Sequence, residues 1–267
     1  MLNDITLGQY YPADSFAHRL DPRTKILLSI VYIVSIFLVK SLFGYIPVVL
    51  YLFLTIKVST VPMGMMVRSI RPLRILLLFT FVLNLFFGTG ERILFQWAFL
   101  TIRHEGLMNA LHFSLRLIFL VTGTSLLTLT TAPVVLTDGL ERLVSPLRVI
   151  KFPAHEMAMM MTIALRFIPT LVEEAQKIMK AQTARGADFT SGNLKQRTKA
   201  MIPLLVPLFI SAFRRAGDLA MAMEARCYHG GEGRTRLHVL KFRKDDAIAG
   251  ISILVLMAVI ILVEQWL

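Results

Sequence analysis

Two arginines occupy matching positions at the ends of two long helical sequences in the polar part of this chain. They are 41 positions apart, in the tripeptides Ala184-Arg185-Gly186 and Ala225-Arg226-Cys227. A planar guanidinium binds carboxylates through paired hydrogen bonds and donates to backbone carbonyls. The small alanine before each arginine would let the helix end enter a narrow groove. Two such ends predict contacts with two similar partner sites, which is a coupling chemistry and not a catalytic one.

A purely structural interpretation of each tripeptide stands beside this one. The helix dipole favours a basic residue in the last turn, and Gly186 is the ordinary residue for a left-handed helix cap. That accounts for one occurrence, whereas the duplication favours a role in binding. When the two sequences are aligned on their arginines, three further alanine pairs match: Ala175 with Ala216, Ala181 with Ala222, and Ala184 with Ala225.

The composition places these arginines in an integral membrane protein. The chain has 267 residues, of which 55% are hydrophobic and 17% charged, with a mean hydropathy of +0.65. Soluble domains are less apolar. Uncharged apolar runs occur at 26–39, 43–56, 75–90, 117–137 and 247–263. The predicted fold class is therefore an all-α integral membrane protein with about five transmembrane helices and long amphipathic cytoplasmic helices.

The first two apolar runs are short for membrane spans. Each has 14 residues, whereas a full span needs about 20. Lys25, Lys40 and Lys57 bracket them, and their long stems can reach the headgroups, so both are predicted to span, joined by a turn at 40–42. The fourth helix is expected to begin near Gly106.

Two further expectations concern the membrane part. The fourth helix would contain Arg116, because it starts before the uncharged run. The short apolar run 93–102 is predicted to be an interfacial or re-entrant segment and not a sixth span.

The polar block 138–246 separates an N-terminal membrane part, 1–137, from a last span at 247–267. Within it the sequence predicts a helix over 155–185 and another over about 194–226. A shorter amphipathic helix at 135–150 precedes them. Prolines bend or end helices, and they occur here at Pro146, Pro169, Pro203 and Pro207.

Charge predicts the orientation in the membrane. The block 138–246 holds 18 Lys and Arg against 11 Asp and Glu, a net charge of +7, and the segment 57–74 holds four basic residues and no acid. The positive-inside rule then places the N-terminus, 57–74 and 138–246 in the cytoplasm and the C-terminus outside. The same rule explains the net charge of +12 without nucleic acid as a partner.

No motif for catalysis or metal binding is found. Cys227 is the single cysteine, which excludes an internal disulfide and a cysteine-based metal cluster. The sequence has no Gly-x-x-x-x-Gly-Lys-[Ser/Thr] phosphate loop and no His-Glu-x-x-His. Catalytic and metal-binding residues are therefore predicted to be absent, and the chain is not predicted to be an enzyme.

These features together resemble the EcfT/CbiQ family, the transmembrane T components of energy-coupling factor vitamin transporters. The similar elements are the segment 15–25 (SFAHRLDPRTK), the five-span layout, the polar insertion before the last span, and above all the two arginine tripeptides. Cys227 departs from the family, which commonly has glycine at that position.

The resemblance implies a set of partners. Such a T component joins two ABC-type ATPases to a small membrane S component that binds a vitamin, in a prokaryotic plasma membrane. Arg185 and Arg226 would end the coupling helices that dock on the ATPases, which would hold ATP and Mg²⁺, while this chain binds no cofactor. Alternatives are a T component dedicated to cobalt, nickel or biotin, a stand-alone secondary transporter, and a scaffold without transport.

Methionines offer a soft, adaptable surface, and those on the two long helices are predicted as possible S-component contacts. The alternative is ordinary packing between crossed helices. The set comprises Met157, Met159, Met160, Met161, Met179, Met221 and Met223. The segment 21–25 fits a helix start at Asp21-Pro22 and membrane anchoring through Arg23 and Lys25. A direct functional role of the segment is the alternative.

Overall fold

The computed structural model of the chain describes residues 10–87, 93–97, 100–187, 189, 193–230 and 240–266. These residues form two compact units. The larger unit lies within Gly8–Arg142 and Val239–Leu267, and the smaller unit lies within Leu143–His238. The division into 1–137, 138–246 and 247–267 stays a prediction about domains.

Helices make up nearly all of the described chain. In chain order the elements are α1 (Phe16–Arg19), α2 (Pro22–Leu38), α3 (Tyr45–Ser59), α4 (Met63–Ile70), α5 (Arg74–Phe87), β1 (Ile93–Trp97), β2 (Leu100–Arg103), α6 (His104–Thr130), α7 (Pro133–Val144), α8 (Ala154–Ala184), α9 (Leu194–Ala225) and α10 (Lys244–Trp266). Short 3₁₀ turns at Arg71–Leu73 and Ser145–Ile150 follow α4 and α7. The predicted all-α membrane class is confirmed, with one short hairpin as an addition.

Four helical stretches of the described chain are long and apolar enough to cross a membrane. They are Met63–Phe87, His104–Thr130, Thr198–Ala225 and Lys244–Trp266. Three of them overlap the predicted spans 75–90, 117–137 and 247–263. The first two predicted spans fall in α2 and α3, which have only 17 and 15 residues, so the count of five spans stays a prediction. The remaining stretch belongs to α9, which the sequence analysis assigns to the cytoplasmic block.

The apolar sides of α2, α3 and α10 form the main core of the larger unit. Its fully buried residues include Ile36, Val48 and Ile260. A Cβ atom at Gly123 of α6 would collide with the ring of Tyr32. That glycine therefore sets how closely α6 approaches α2.

The predicted fourth span, 117–137, is wrong at its end. Helix α6 contains Arg116 as predicted but stops at Thr130, where Thr131 is extended (φ −136°, ψ 122°). Pro133 opens α7 and disfavours helical backbone in Ala132, the residue before it. Helix α6 therefore cannot continue unbroken through 132–137. Helix α7 then ends at Val144, just before Pro146, as the sequence analysis expects.

The segment predicted to be interfacial or re-entrant forms an antiparallel β-hairpin. Strands β1 and β2 pair Trp97 with Leu100 and Ile93 with Arg103, and the register shifts between Ile93 and Phe95. The expectation that it is not a sixth span agrees with its short length, because two strands of four and five residues cannot cross a bilayer as a helix does.

The turn between α2 and α3 is held by a carboxylate from the other end of the chain. Glu264 of α10 accepts hydrogen bonds from the backbone N–H groups of Lys40 (3.1 Å) and Ser41 (3.0 Å) and from the Ser41 hydroxyl (2.8 Å). A Cβ at Gly44 would meet the same carboxylate. The predicted tight turn at 40–42 is therefore fixed by a distant side chain.

Lys25 does not anchor the chain at a membrane surface, so that prediction is wrong. Its side chain is buried, and its ammonium donates to the carbonyls of His18 (3.2 Å) and Thr130 (3.0 Å) and to the Thr131 hydroxyl (3.1 Å). These acceptors belong to the end of α1 and the end of α6. A lysine whose three N–H donors are all used inside the fold cannot reach for headgroups.

The predicted helix start at Asp21-Pro22 is confirmed, and a second aspartate joins it to α10. The Asp21 carboxylate accepts from the backbone N–H of Arg23 (2.9 Å) and caps α2. Asp246 accepts from the backbone N–H groups of Asp21 (2.8 Å) and Arg243 (2.7 Å). Burial would raise the pKa of Asp21, but the hydrogen bonds and charge of Arg23 outweigh it and lower that pKa below its usual value.

Arg23 is used in the same junction and not for anchoring at the membrane. Its guanidinium pairs with Asp21 at 2.9 Å and lies 4.0 Å from the centre of the Phe242 ring. The starts of α2 and α10 are therefore held together by buried polar contacts. We call Asp21, Arg23, Lys25 and Asp246 the polar junction.

Candidate functional site

The first arginine tripeptide closes α8 with a regular cap. Arg185 is the C-cap residue, and Gly186 has a left-handed backbone (φ +88°). The N–H of Gly186 donates to the Thr183 carbonyl (2.9 Å), and the N–H of Ala187 donates to the Gln182 carbonyl (3.0 Å). This pair of bonds defines a Schellman motif.

The second tripeptide closes α9 with the same pattern. Cys227 takes the left-handed position (φ +54°), and its N–H donates to the Glu224 carbonyl (2.8 Å). The N–H of Tyr228 donates to the Met223 carbonyl (3.0 Å). Arg226 therefore occupies the same cap position as Arg185, even though a cysteine stands where glycine is expected.

Cys227→Gly is expected to stabilise the chain by about 0.5–1 kcal/mol. Glycine removes the steric penalty of a Cβ atom in a left-handed backbone, and the greater freedom of glycine in the unfolded chain offsets part of that gain. Gly186→Ala is the matched opposite change, and it should destabilise by a similar amount. A Cβ there would meet no atom within 4 Å, so only backbone strain acts. Thermal unfolding of the purified chain measures both, and a loss of stability in Cys227→Gly would contradict the cap geometry.

Both arginine side chains are exposed, as are Ala184 and Ala225 before them. Within the described ranges no carboxylate pairs with either guanidinium. Both groups therefore keep all their donors for a partner, which the small neighbouring alanines would let approach closely.

Two contacts show that α8 and α9 run antiparallel within the smaller unit. Arg215 of α9 pairs with Glu174 of α8 at 2.9 Å. Tyr228 Oη, just past α9, lies 3.3 Å from His155 Nε2 near the start of α8. Because the helices are antiparallel, the arginines at their two C-terminal ends lie at opposite ends of the pair.

The Glu174–Arg215 ion pair joins equivalent points of the two helices. Each partner precedes its own helix-end arginine by 11 residues, or about 16 Å of helix at a rise of 1.5 Å per residue. The two helices therefore extend equally far beyond the ion pair. A hydrogen bond from Ser211 and the charge of Arg215 outweigh desolvation and lower the pKa of Glu174, so this carboxylate is ionised at neutral pH.

The seven methionines predicted to contact an S component divide into two groups. Met159 and Met223 line a cavity of about 450 Å³ together with Ile163 and Leu219, and Met179 is half-buried. That group fits the alternative of packing between helices. The exposed group, which remains available to a partner, consists of Met157, Met160, Met161 and Met221.

Helix α9 presents a wide apolar face whose residues were not predicted individually from the sequence. Its members recur every four residues and are 48–66% exposed: Met201, Ile202, Leu205, Val206, Phe209, Ile210 and Phe213. Apolar surface of this extent marks a partner or membrane interface. The signal was present in the sequence as an uninterrupted apolar period across Pro203 and Pro207.

Among the described residues no three His, Cys, Asp or Glu side chains are grouped as a metal ion would need. The expectation that the chain binds no cofactor, with ATP and Mg²⁺ on partner subunits, stays a prediction.

Comparison with known proteins identifies the class. The CbiQ family, described as cobalt transport protein, matches residues 13–237. The chain is 56% identical over 267 residues to the energy-coupling factor transporter transmembrane protein EcfT of Clostridium kluyveri, covering 100% of this chain and 99% of the relative. EcfT of Acidaminococcus fermentans is 54% identical over 96% of this chain and 95% of its own length, and EcfT of Bacillus subtilis is 45% identical over 97% and 98%.

The chain therefore belongs to the CbiQ family of multi-pass membrane transport proteins. Within that family its relatives place it among the transmembrane components of energy-coupling factor transporters. The predicted resemblance is confirmed, and the roles of the individual residues stay predictions.

Proposed function

We propose that the chain is the scaffold that links two cytoplasmic ABC-type ATPases to a small substrate-binding S component for vitamin uptake. The observation that carries the proposal is the pair of identical caps, each presenting an exposed arginine at one end of the antiparallel helices. Two helix ends with the same cap and the same exposed arginine would fit similar docking grooves on two ATPases. The scaffold itself binds no nucleotide, and ATP with Mg²⁺ is held by the ATPases.

The equal reach of the two helices supports transmission of force. Glu174 and Arg215 tie the helices at one point, and each arginine lies about 16 Å beyond it. When the ATPases move together on binding ATP, they would push both helix ends at once. Helices joined by this ion pair would carry that displacement to whatever covers the apolar face of α9.

The surface that would bind the S component consists of the exposed methionines and the apolar face of α9. Flexible thioether side chains can repack against different partners, which suits a scaffold that serves several S components. The N-terminus and 138–246 are placed in the cytoplasm and the C-terminus outside, in the plasma membrane of a prokaryotic cell. This orientation rests on the positive-inside rule.

The cargo is proposed to be a vitamin. The relatives named above carry the general energy-coupling factor name, which favours a shared component. The description of the family as a cobalt transport protein keeps a dedicated cobalt, nickel or biotin system as the second candidate. Mass spectrometry of the assembly purified from its own cells would separate them by the S components that it contains.

A stand-alone secondary transporter is the competing function. Such proteins usually carry ionisable groups or broken helices at mid-membrane. Here Arg116 donates to the Val39 carbonyl (2.7 Å) at the end of α2, and Asn84 donates to the Thr80 carbonyl (2.8 Å). Asn84 and a terminal nitrogen of Arg116 thus bond to backbone carbonyls within the fold, while the Arg116 Nε atom is buried without a partner among the described residues.

Reconstitution in vesicles tests the proposal directly. Uptake of a labelled vitamin is expected only when the chain is combined with both ATPases, an S component and ATP, and omission of any one should abolish it. Vesicles that hold the chain alone are the control. ATP-independent uptake by the chain alone would establish the secondary transporter instead.

A further inference from the structure

Three arginines form a strip at the start of an apolar helix in the larger unit. Arg68 lies in the last turn of α4, Arg71 opens the 3₁₀ turn Arg71–Leu73, and Arg74 opens α5. These segments form one helical stretch, Met63–Phe87. Side chains three residues apart on a helix are neighbours, with Cβ atoms about 5–6 Å apart. All three arginines are exposed.

The fold does not use these charges. Among the described residues no carboxylate pairs with any of the three, and the sequence has no Asp or Glu between 22 and 90. Arg74 lies inside the continuous helical stretch Met63–Phe87, far from its C-terminal end, where the helix dipole would favour a cation. Three unpaired cations at such a place call for an external anion.

The same helix face continues as exposed hydrocarbon. Ile75 lies one turn beyond Arg71 and is 79% exposed, and Leu78 lies one turn beyond Arg74 and is 65% exposed. A free anion such as inorganic phosphate bound to the arginines would leave these apolar side chains uncovered. A bilayer covers both, because its phosphates lie beside its acyl chains.

We propose that Arg68, Arg71 and Arg74 bind the phosphates of anionic lipids, with Ile75 and Leu78 against the acyl chains of the same leaflet. Guanidinium groups bind phosphate through paired hydrogen bonds. Phosphatidylcholine carries the same phosphate, but its choline cation makes the headgroup neutral and is repelled by three arginines. The strip would therefore prefer phosphatidylglycerol. Lipid binding at this strip requires only that the chain is a membrane protein and does not depend on the ATPases or the S component.

The test is lipid binding by the full chain in detergent. Phosphatidylglycerol and phosphatidylcholine are titrated in turn, and native mass spectrometry counts the bound lipids. Each arginine near an anionic headgroup contributes about 5-fold in affinity, so replacing all three should weaken phosphatidylglycerol binding by about 100-fold. The variant is Arg68→Gln with Arg71→Gln and Arg74→Gln, and its phosphatidylcholine binding should not change.

A matched triple variant controls for net charge. Lys177→Gln, Lys180→Gln and Lys199→Gln remove three exposed cations from the smaller unit and should leave phosphatidylglycerol binding intact. If the arginine triple variant fails to fold, the single replacements decide the question, each with an expected loss of about 5-fold.

Four outcomes would overturn the proposal. The first is equal binding of the two lipids by the unaltered chain, and the second is unchanged phosphatidylglycerol binding in the folded arginine variants. The third is an equal loss of phosphatidylglycerol binding in both triple variants. The fourth is full competition by millimolar inorganic phosphate, which would indicate a free-phosphate site. Retained lipid binding with loss of a co-purifying protein would assign the strip to a protein interface.

Discussion

Replacing Arg185 and Arg226 together with alanine is expected to release the chain from its ATPase partners while leaving it folded. Both side chains are exposed, and within the described ranges neither takes part in an ion pair, so the fold loses little. A helix-end arginine contributes about 0.3–1 kcal/mol to its own helix through the dipole. The isolated chain should therefore unfold at nearly the same temperature as the unaltered one.

The effect on assembly should be much larger. An arginine buried in an interface with satisfied hydrogen bonds costs about 2–5 kcal/mol when it is truncated. That range corresponds to a loss of about 30-fold to several thousand-fold in affinity at each docking site. Co-purification of the ATPases and ATP-driven uptake should both be lost in the double variant, and each single variant should weaken the assembly in part.

Two other arginines on the same helices provide the control. Arg166 of α8 and Arg214 of α9 are exposed but stand away from the helix ends. Arg166→Ala with Arg214→Ala removes the same charge and should leave assembly unchanged. Lysine at 185 and 226 keeps the charge without the planar fork and should restore only part of the binding. Normal transport by the alanine double variant would refute the docking role of the two helix ends.

Local signals were sufficient to predict most of the helix ends. Asp21-Pro22 begins α2, Gly186 follows the end of α8, and α7 stops before Pro146. Each of these depends on the backbone conformation that one or two residues allow. The same local logic located both arginine tripeptides at helix ends, which is the basis of the candidate site.

Long-range contacts explain what the sequence did not reveal. Lys25 looks like a membrane anchor because it precedes an apolar run, but two of its three acceptors lie 105 and 106 residues away, at Thr130 and Thr131. The pairing of Glu174 with Arg215 spans 41 residues and likewise has no local signal. A charged residue beside a span can face either headgroups or the interior, and only the folded chain decides which.

Asp246 is expected to be the most sensitive carboxylate for stability in the larger unit. Its side chain is buried and accepts from the backbone N–H groups of Asp21 and Arg243 at 2.8 and 2.7 Å. Hydrogen bonds to a charged acceptor contribute about 1.5–3 kcal/mol each, and a buried donor left without its acceptor adds a desolvation penalty. Asp246→Ala should therefore destabilise the chain by about 3–5 kcal/mol.

The neighbouring aspartate supplies the matched control for this prediction. Asp245 lies in the same first turn of α10, where a carboxylate gains only the dipole interaction of about 0.3–1 kcal/mol. Asp245→Ala should thus lower the free energy of unfolding by about a fifth as much as Asp246→Ala, when both variants are unfolded by denaturant in mixed micelles. Asp246→Asn should fall between them, because the amide keeps one acceptor oxygen for two donors. Equal losses of stability at the two positions would show that the polar junction contributes nothing beyond the helix dipole.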